Sequence, residues 1–136
     1  MEVTNFQMKN TKELINHAVN DLKKLKKVVA VILFGSYARM EQKPISDIDI
    51  CVVTDKNISN KFKAEISSYG SRKIDITLFW DLPPAVRYSA LKEGRLLFCM
   101  NEEFMHNAIL ETMSEYLDFK HIIDRHCNAI LGGESE

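Results

Sequence analysis

Apolar and polar positions alternate along this chain with two different periods, and the switches between them mark out the elements. From residue 11 to about 27, Leu14, Ile15, Ala18, Val19, Leu22 and Leu25 recur at three- and four-residue steps, with lysines and acids between them. That is the signature of a helix with one apolar stripe. Asn10, followed three residues later by Glu13, provides a capping signal for its start. The pattern then changes: Val28 to Phe34 is a run of seven apolar residues, rich in β-branched types and stopped by Gly35. Such a run predicts a central strand covered on both faces. A short helix from Ser36 to about Glu41, a turn at Pro44 and a second strand from Asp47 to Val53 follow.

Residues 54–70 are polar and weakly patterned, with a short helix predicted around Phe62, Ala64 and Ile66 before Gly70. Alternation returns from Lys73 to Trp80, placing Ile74, Ile76, Leu78 and Trp80 on one face of a third strand and Asp75, Thr77 and Phe79 on the other. Asp81 as cap, Pro83 and Pro84 in the first turn and Gly94 past the end predict a helix. A short strand, Leu96 to Met100, leads into a long helical pattern from Asn101 to about Leu131, with a break expected near Asp118. Its stripe of Phe104, Ala108, Ile109, Met113, Tyr116, Leu117, Ile122, Ile123 and Ile130 reads as core. The order helix, strand, helix, strand, strand, helix, strand, helix predicts an α/β (α+β) fold: a small mixed sheet flanked by helices, in one domain spanning 1–136.

Composition narrows the function classes. With 46% hydrophobic and 27% charged residues in 136, the chain suits an ordinary globular domain rather than a disordered one. Its longest apolar run is far shorter than the roughly 20 residues a membrane helix needs, and its N-terminus lacks the basic start of a secretory signal. No membrane association and a cytoplasmic location are therefore expected. The formal net charge of −1 removes the bulk attraction behind nonspecific nucleic-acid binding, and none is expected. Lys23, Lys24, Lys26 and Lys27 read as the solvated face of a helix. Cys51, Cys99 and Cys127 show no metal or redox spacing and read as buried small residues. His17, His106, His121 and His126 likewise lack ligand spacing.

The candidate chemistry lies at the ends of the first two strands. Asp47 and Asp49, two apart in a strand, leave the same face. At about 4 Å and an effective dielectric near 20 their repulsion approaches 4 kcal/mol unless a cation or a shared proton offsets it. Hard oxygen donors on a strand suit Mg²⁺, which takes one or two protein carboxylates and completes its shell with water and phosphates. Cys51 and Val53 continue the same face into apolar territory, which puts the aspartates at the open end of a buried strand. Gly35 and Ser36 supply a bend where backbone can approach a phosphate, with helix-start N–H groups and a hydroxyl as donors. Asp75, on a strand expected to neighbour Asp47 and Asp49, is a third metal ligand or a base for an incoming hydroxyl. Two metals so held could activate a nucleophile and stabilise a leaving pyrophosphate. This combination predicts phosphoryl chemistry at a nucleotide.

The string Leu33-Phe34-Gly35-Ser36-Tyr37-Ala38-Arg39, then ten residues counted from Ser36 to Asp47-Ile48-Asp49-Ile50, resembles the signature of the DNA polymerase beta-like nucleotidyltransferase superfamily. The bare spacing should arise by chance in about one chain in a few hundred. Ile74-Asp75-Ile76-Thr77 resembles the strand supplying the family's third acid. The chain is most similar to the minimal nucleotidyltransferases that act as MntA-type antitoxin partners of HEPN-domain toxins, whose C-terminal half is matched by Lys92 to Phe98 and Glu115 to Phe119. The resemblance implies the polymerase beta-like fold with a long C-terminal helix. It implies a metal-dependent transfer of AMP from ATP to a hydroxyl, a tyrosine of the toxin, with two Mg²⁺ ions as cofactors and ATP as substrate. By the same resemblance Asp47, Asp49 and Asp75 are catalytic and metal-binding, and Gly35, Ser36 and Arg39 hold the nucleotide. For Arg39 a surface salt bridge is the competing reading. Met40 stands where family members commonly have glycine, which bears on rate and base preference. Partners implied are ATP and a HEPN-domain toxin; separately from the resemblance, any part of the Phe104 to Ile130 stripe left exposed is a surface for a partner or for a second copy of the chain as a homodimer. Two other functions fit the same residues: an antitoxin that neutralises by binding without catalysis, and a small-molecule nucleotidyltransferase of the aminoglycoside-modifying type.

Overall fold

A computed structural model describes the backbone of residues 2–35 and 48–130 and, within these, the side chains of all but residues 2–10, 119 and 123. The elements are α1 (Glu2–Lys23), β1 (Val28–Phe34), β2 (Ile48–Thr54), α2 (Asn60–Ser67), β3 (Ile74–Leu78), a 3₁₀ turn (Phe79–Asp81), α3 (Pro84–Glu93), β4 (Arg95–Cys99) and α4 (Glu102–Ile130). The predicted helix from Ser36 to Glu41 and the turn at Pro44 lie outside the described residues. The four strands form one mixed sheet in the order β3-β2-β1-β4. Strands β2 and β3 run parallel, while β1 is antiparallel to both of its neighbours. A parallel pair cannot be joined by a hairpin, and α2 supplies the crossover.

Both faces of the sheet are covered, which explains the unbroken apolar run in β1. On one face Val28, Val31 and Leu33 meet Ile48, Ile50 and Val52 of β2, Ala18 and Leu22 of α1 and Ile66 of α2. On the other, Val29, Ala30 and Ile32 meet Cys51 and Val53 of β2, Phe79 after β3, and Met105 and Ala108 of α4. A register shift between Val28 and Ala30 in the pairing with β2 is a bulge, and it places Val29 and Ala30 in the same core. Each fully buried valine or isoleucine contributes about 1.5–3 kcal/mol, so these two clusters fix the strand register. Among the described residues no helix is long and apolar enough to cross a membrane.

Several boundaries differ from the sequence reading. Helix α1 begins well before Asn10; no glycine or proline interrupts residues 2–10, so a helix nucleated by the apolar stripe propagates backward at little cost. It ends at Lys23, and Lys24, Lys26 and Lys27 are exposed on the turn that follows rather than on a helical face. Strand β3 stops at Leu78. The 3₁₀ turn buries Phe79 completely and removes Trp80 from the line of Ile74, Ile76 and Leu78. The Trp80 indole N–H instead donates to the Thr54 carbonyl at 2.6 Å, and its ring packs edge-on against Phe79 at 5.0 Å. Pro83, not Asp81, occupies the cap position of α3, without a side-chain cap. Gly94 ends α3 with an ordinary φ of −75°, yet a Cβ there would come inside 3.0 Å of the Ala90 carbonyl and the Ile32 side chain. Close packing of helix end on strand is what requires glycine here.

Helix α4 runs unbroken through Asp118, and its stripe is core only in part. Of its described residues Ala108 is buried, Phe104, Ile109 and Tyr116 are half-buried, and Met113, Leu117, Ile122 and Ile130 are exposed; Met105 and Thr112, outside the stripe, are buried. The cysteines also divide. Only Cys51 is buried; Cys99 is half-buried and Cys127 exposed. Burial pushes the Cys51 thiol up to about 12, so it stays protonated at neutral pH and is a poor nucleophile. Native alkylation followed by peptide mass mapping should therefore label Cys127 first and Cys51 only after denaturation. Early labelling of Cys51 would contradict the described core.

Candidate active site

Asp49 is the second residue of β2, and the strand pairing decides what stands beside it. Across the antiparallel pair it is opposite Phe34, the last residue of β1. Across the parallel pair it is opposite Asp75. In-register residues on adjacent strands point to the same face and stand about 4.8 Å apart. Asp49 and Asp75 are thus side by side on the face that carries Cys51 and Val53 into the second core, as the alternation predicts. Asp75 is exposed and Asp49 half-buried. The carboxylates occupy the rim of the sheet, with apolar packing behind them.

Gly35 follows β1 and has φ +80°, a left-handed conformation that side-chain-bearing residues seldom adopt. A Cβ built at Gly35 would lie within 3.0 Å of the Asp49 carboxylate. The bend and the acid are therefore in contact, an arrangement that strand alternation alone does not reveal. The sequence signal for it is the glycine itself, which predicts room for a phosphate and also makes room for Asp49.

The structure thus brings together three of the six site residues expected from sequence: Gly35, Asp49 and Asp75. Ser36, Arg39 and Asp47 lie outside the described residues, as does Met40. Among the described residues no group of three His, Cys, Asp or Glu side chains converges, and Asp49 and Asp75 furnish two. Two strand-held carboxylates beside a side-chain-free bend fit a divalent cation that keeps water and phosphate in its shell. A cavity of about 330 Å³ is lined by Glu13, Leu14, His17 and Lys73. It contains neither carboxylate.

Comparison with known proteins places these features in a family. The model of the polymerase beta nucleotidyltransferase domain matches residues 12–103, which include Gly35, Asp49 and Asp75. A protein of Methanocaldococcus jannaschii provisionally named a protein adenylyltransferase is 34% identical over 74 residues, covering 54% of this chain and 58% of its own. The alignment thus spans little more than half of that relative. The bifunctional uridylyltransferase/uridylyl-removing enzyme of Vibrio campbellii is 37% identical over 54 residues, 40% of this chain and 6% of its own. Among solved structures, a chain of a toxin–antitoxin crystal structure with AMP-PNP superposes with a TM-score of 0.67 at 20% identity, covering 88% of this chain and 97% of that one. A chain of the Shewanella oneidensis complex of tri-AMPylated HEPN toxin with MNT antitoxin gives 0.59 at 16% identity, covering 93% and 98%. At these identities the superpositions establish a shared fold, a mixed sheet with helices on both faces and a long last helix. The domain match extends over more than half of the sequence and takes in both carboxylate strands, and by it the chain belongs to the polymerase beta nucleotidyltransferase family.

Proposed function

We propose that this chain transfers AMP from ATP to a tyrosine hydroxyl of a HEPN-domain toxin and so acts as its antitoxin. The observation that carries the reading is the pairing of Asp49 with Asp75 on adjacent parallel strands, with Gly35 against the Asp49 carboxylate. Support comes from the relatives provisionally named protein adenylyltransferases and from the toxin–antitoxin structures in which a chain shares the fold.

In this reading Asp47, Asp49 and Asp75 would hold two Mg²⁺ ions, which would neutralise phosphate charge and favour ionisation of the attacking hydroxyl. Gly35 and Ser36 receive the triphosphate on backbone and hydroxyl donors, and Arg39 is assigned to a phosphate. The tyrosine oxygen bonds to the α-phosphorus as the bond from that phosphorus to the bridging β-phosphate oxygen breaks. Pyrophosphate leaves with the electron pair, and the hydroxyl proton passes to Asp75, the more exposed of the two described carboxylates. The buried sheet behind them fixes their spacing, so little reorganisation accompanies transfer.

Incubating the chain with α-labelled ATP, Mg²⁺ and the candidate toxin tests this directly. Label should appear on the toxin, and Asp49→Ala or Asp75→Ala should each reduce it by about 100-fold or more while the thermal midpoint stays within a few degrees. Equal labelling by the double variant would remove the catalytic assignment. Full neutralisation of the toxin by an unlabelling double variant would point instead to an antitoxin that works by binding.

A further inference from the structure

Helix α4 continues well past the body of the domain. Among the described residues its last hydrogen bonds and ring contacts are with α3: the Arg87 guanidinium donates to Thr112 and Glu115, and Tyr88 stacks on Tyr116 with ring centroids 4.3 Å apart. From Asp118 to Ile130 every described residue is exposed, including Ile122 at 61% and Ile130 at 70%. This segment is about 20 Å of helix at 1.5 Å per residue. A helix of that length is marginal in water without a packed face, so it needs an occupant.

The residues around Ile122 indicate which one. Asp118, Ile122, Arg125, His126 and Ala129 recur at three- and four-residue steps and so share one side of the helix. Acid lies one turn before Ile122 and base one turn after it. None of the ion pairs among the described residues uses Asp118, Arg125 or His126. A second copy of the same helix laid antiparallel across Ile122 sets Asp118 of each copy opposite Arg125 and His126 of the other, with the two isoleucines meeting at the axis. A parallel arrangement would set acid on acid and base on base. The face is self-complementary about a two-fold, the property an isologous interface requires.

We propose that two copies of this chain associate through the C-terminal half of α4 in an antiparallel two-fold contact centred on Ile122. The contact is small beside the roughly 800 Å² per partner of a standard interface, so the dimer should be concentration-dependent. It is independent of the transfer reaction, since no candidate active-site residue lies on α4.

Sedimentation velocity of the full chain from about 5 to about 100 µM, a range suited to a small interface, tests it. A monomer–dimer equilibrium is expected. Ile122→Glu and Asp118→Arg should each weaken dimerisation at least about ten-fold, or 1.4 kcal/mol. Asp118→Arg combined with Arg125→Asp and His126→Asp should restore it, because the charge pattern is reversed but again self-complementary. Thermal melts confirm that each variant retains its folded body. A monomer throughout the range, a dimer indifferent to Ile122→Glu, or no restoration by the triple variant would each overturn the proposal. So would a monomer whose Ile122→Glu variant loses binding to a HEPN toxin, an outcome assigning the face to that protein.

Discussion

A Gly35→Ala variant is expected to remain folded and to lose nucleotidyl transfer by about 100-fold or more, the scale of a roughly 1 Å misplacement at a reacting centre. Two effects act together. The left-handed φ of +80° at Gly35 costs an L-residue about 1–2 kcal/mol. The added methyl would also come inside 3.0 Å of the Asp49 carboxylate. The side chain of Asp49 yields more easily than the two strands, so the damage falls on the geometry of the acid rather than on the sheet. Initial rates of label transfer, read beside a melting curve, separate the two contributions. Transfer at the parental rate would show that the orientation of the Asp49 carboxylate is immaterial to the reaction.

Arg87→Ala should give a large loss of stability, about 3 kcal/mol, because two acceptors away from bulk water each lose a donor at about 1–3 kcal/mol apiece. The Arg87 side chain is 7% exposed, and its guanidinium is the donor. It donates to the Leu82 carbonyl at 3.0 Å, the Thr112 hydroxyl at 3.3 Å and the Glu115 carboxylate. It also lies 5.8 Å from the Phe79 ring centroid and 5.4 Å from that of Trp80. One side chain thereby ties the 3₁₀ turn to α3 and α4. Truncation removes a donor from the buried Thr112 hydroxyl and from the half-buried Leu82 carbonyl, whereas Glu115, 40% exposed, returns to water. Arg87→Lys should recover little, since a single ammonium cannot reproduce the planar fork or its stacking. A drop of about 10 °C in the thermal midpoint is the expected reading for a chain of this size. An unchanged midpoint would mean that packing on α3 and α4 holds the turn without it.

Legibility from sequence followed the range of the interactions involved. The run Val28 to Phe34 predicted a strand with the same ends as β1, because burial on both faces leaves a local record in composition. The third strand was overextended to Trp80, because alternation continues through Phe79 while the chain itself turns. Trp80 is held by the Thr54 carbonyl, a partner 26 positions away that no local pattern can announce. Asp118 marks no break in α4. The stripe from Phe104 to Ile130 predicts core, yet periodicity records which side of a helix is apolar and not how far its neighbours extend. Short α3 covers only the first half, and Ile122 and Ile130 remain outside.

At the site, the nature of the groups was present in the primary structure: two strand-borne acids and a glycine after an apolar run are local features of composition and spacing. Folding decided which of them meet. The parallel register that sets Asp75 beside Asp49 depends on α2 as a crossover, and the closeness of Gly35 to the Asp49 carboxylate depends on antiparallel pairing of β1 with β2. Those are contacts between segments distant in the chain, selected by burial of two cores at once. Residue type supplied the chemistry because it is a property of each position alone; three-dimensional packing supplied the geometry because distance between positions is a property of the whole chain.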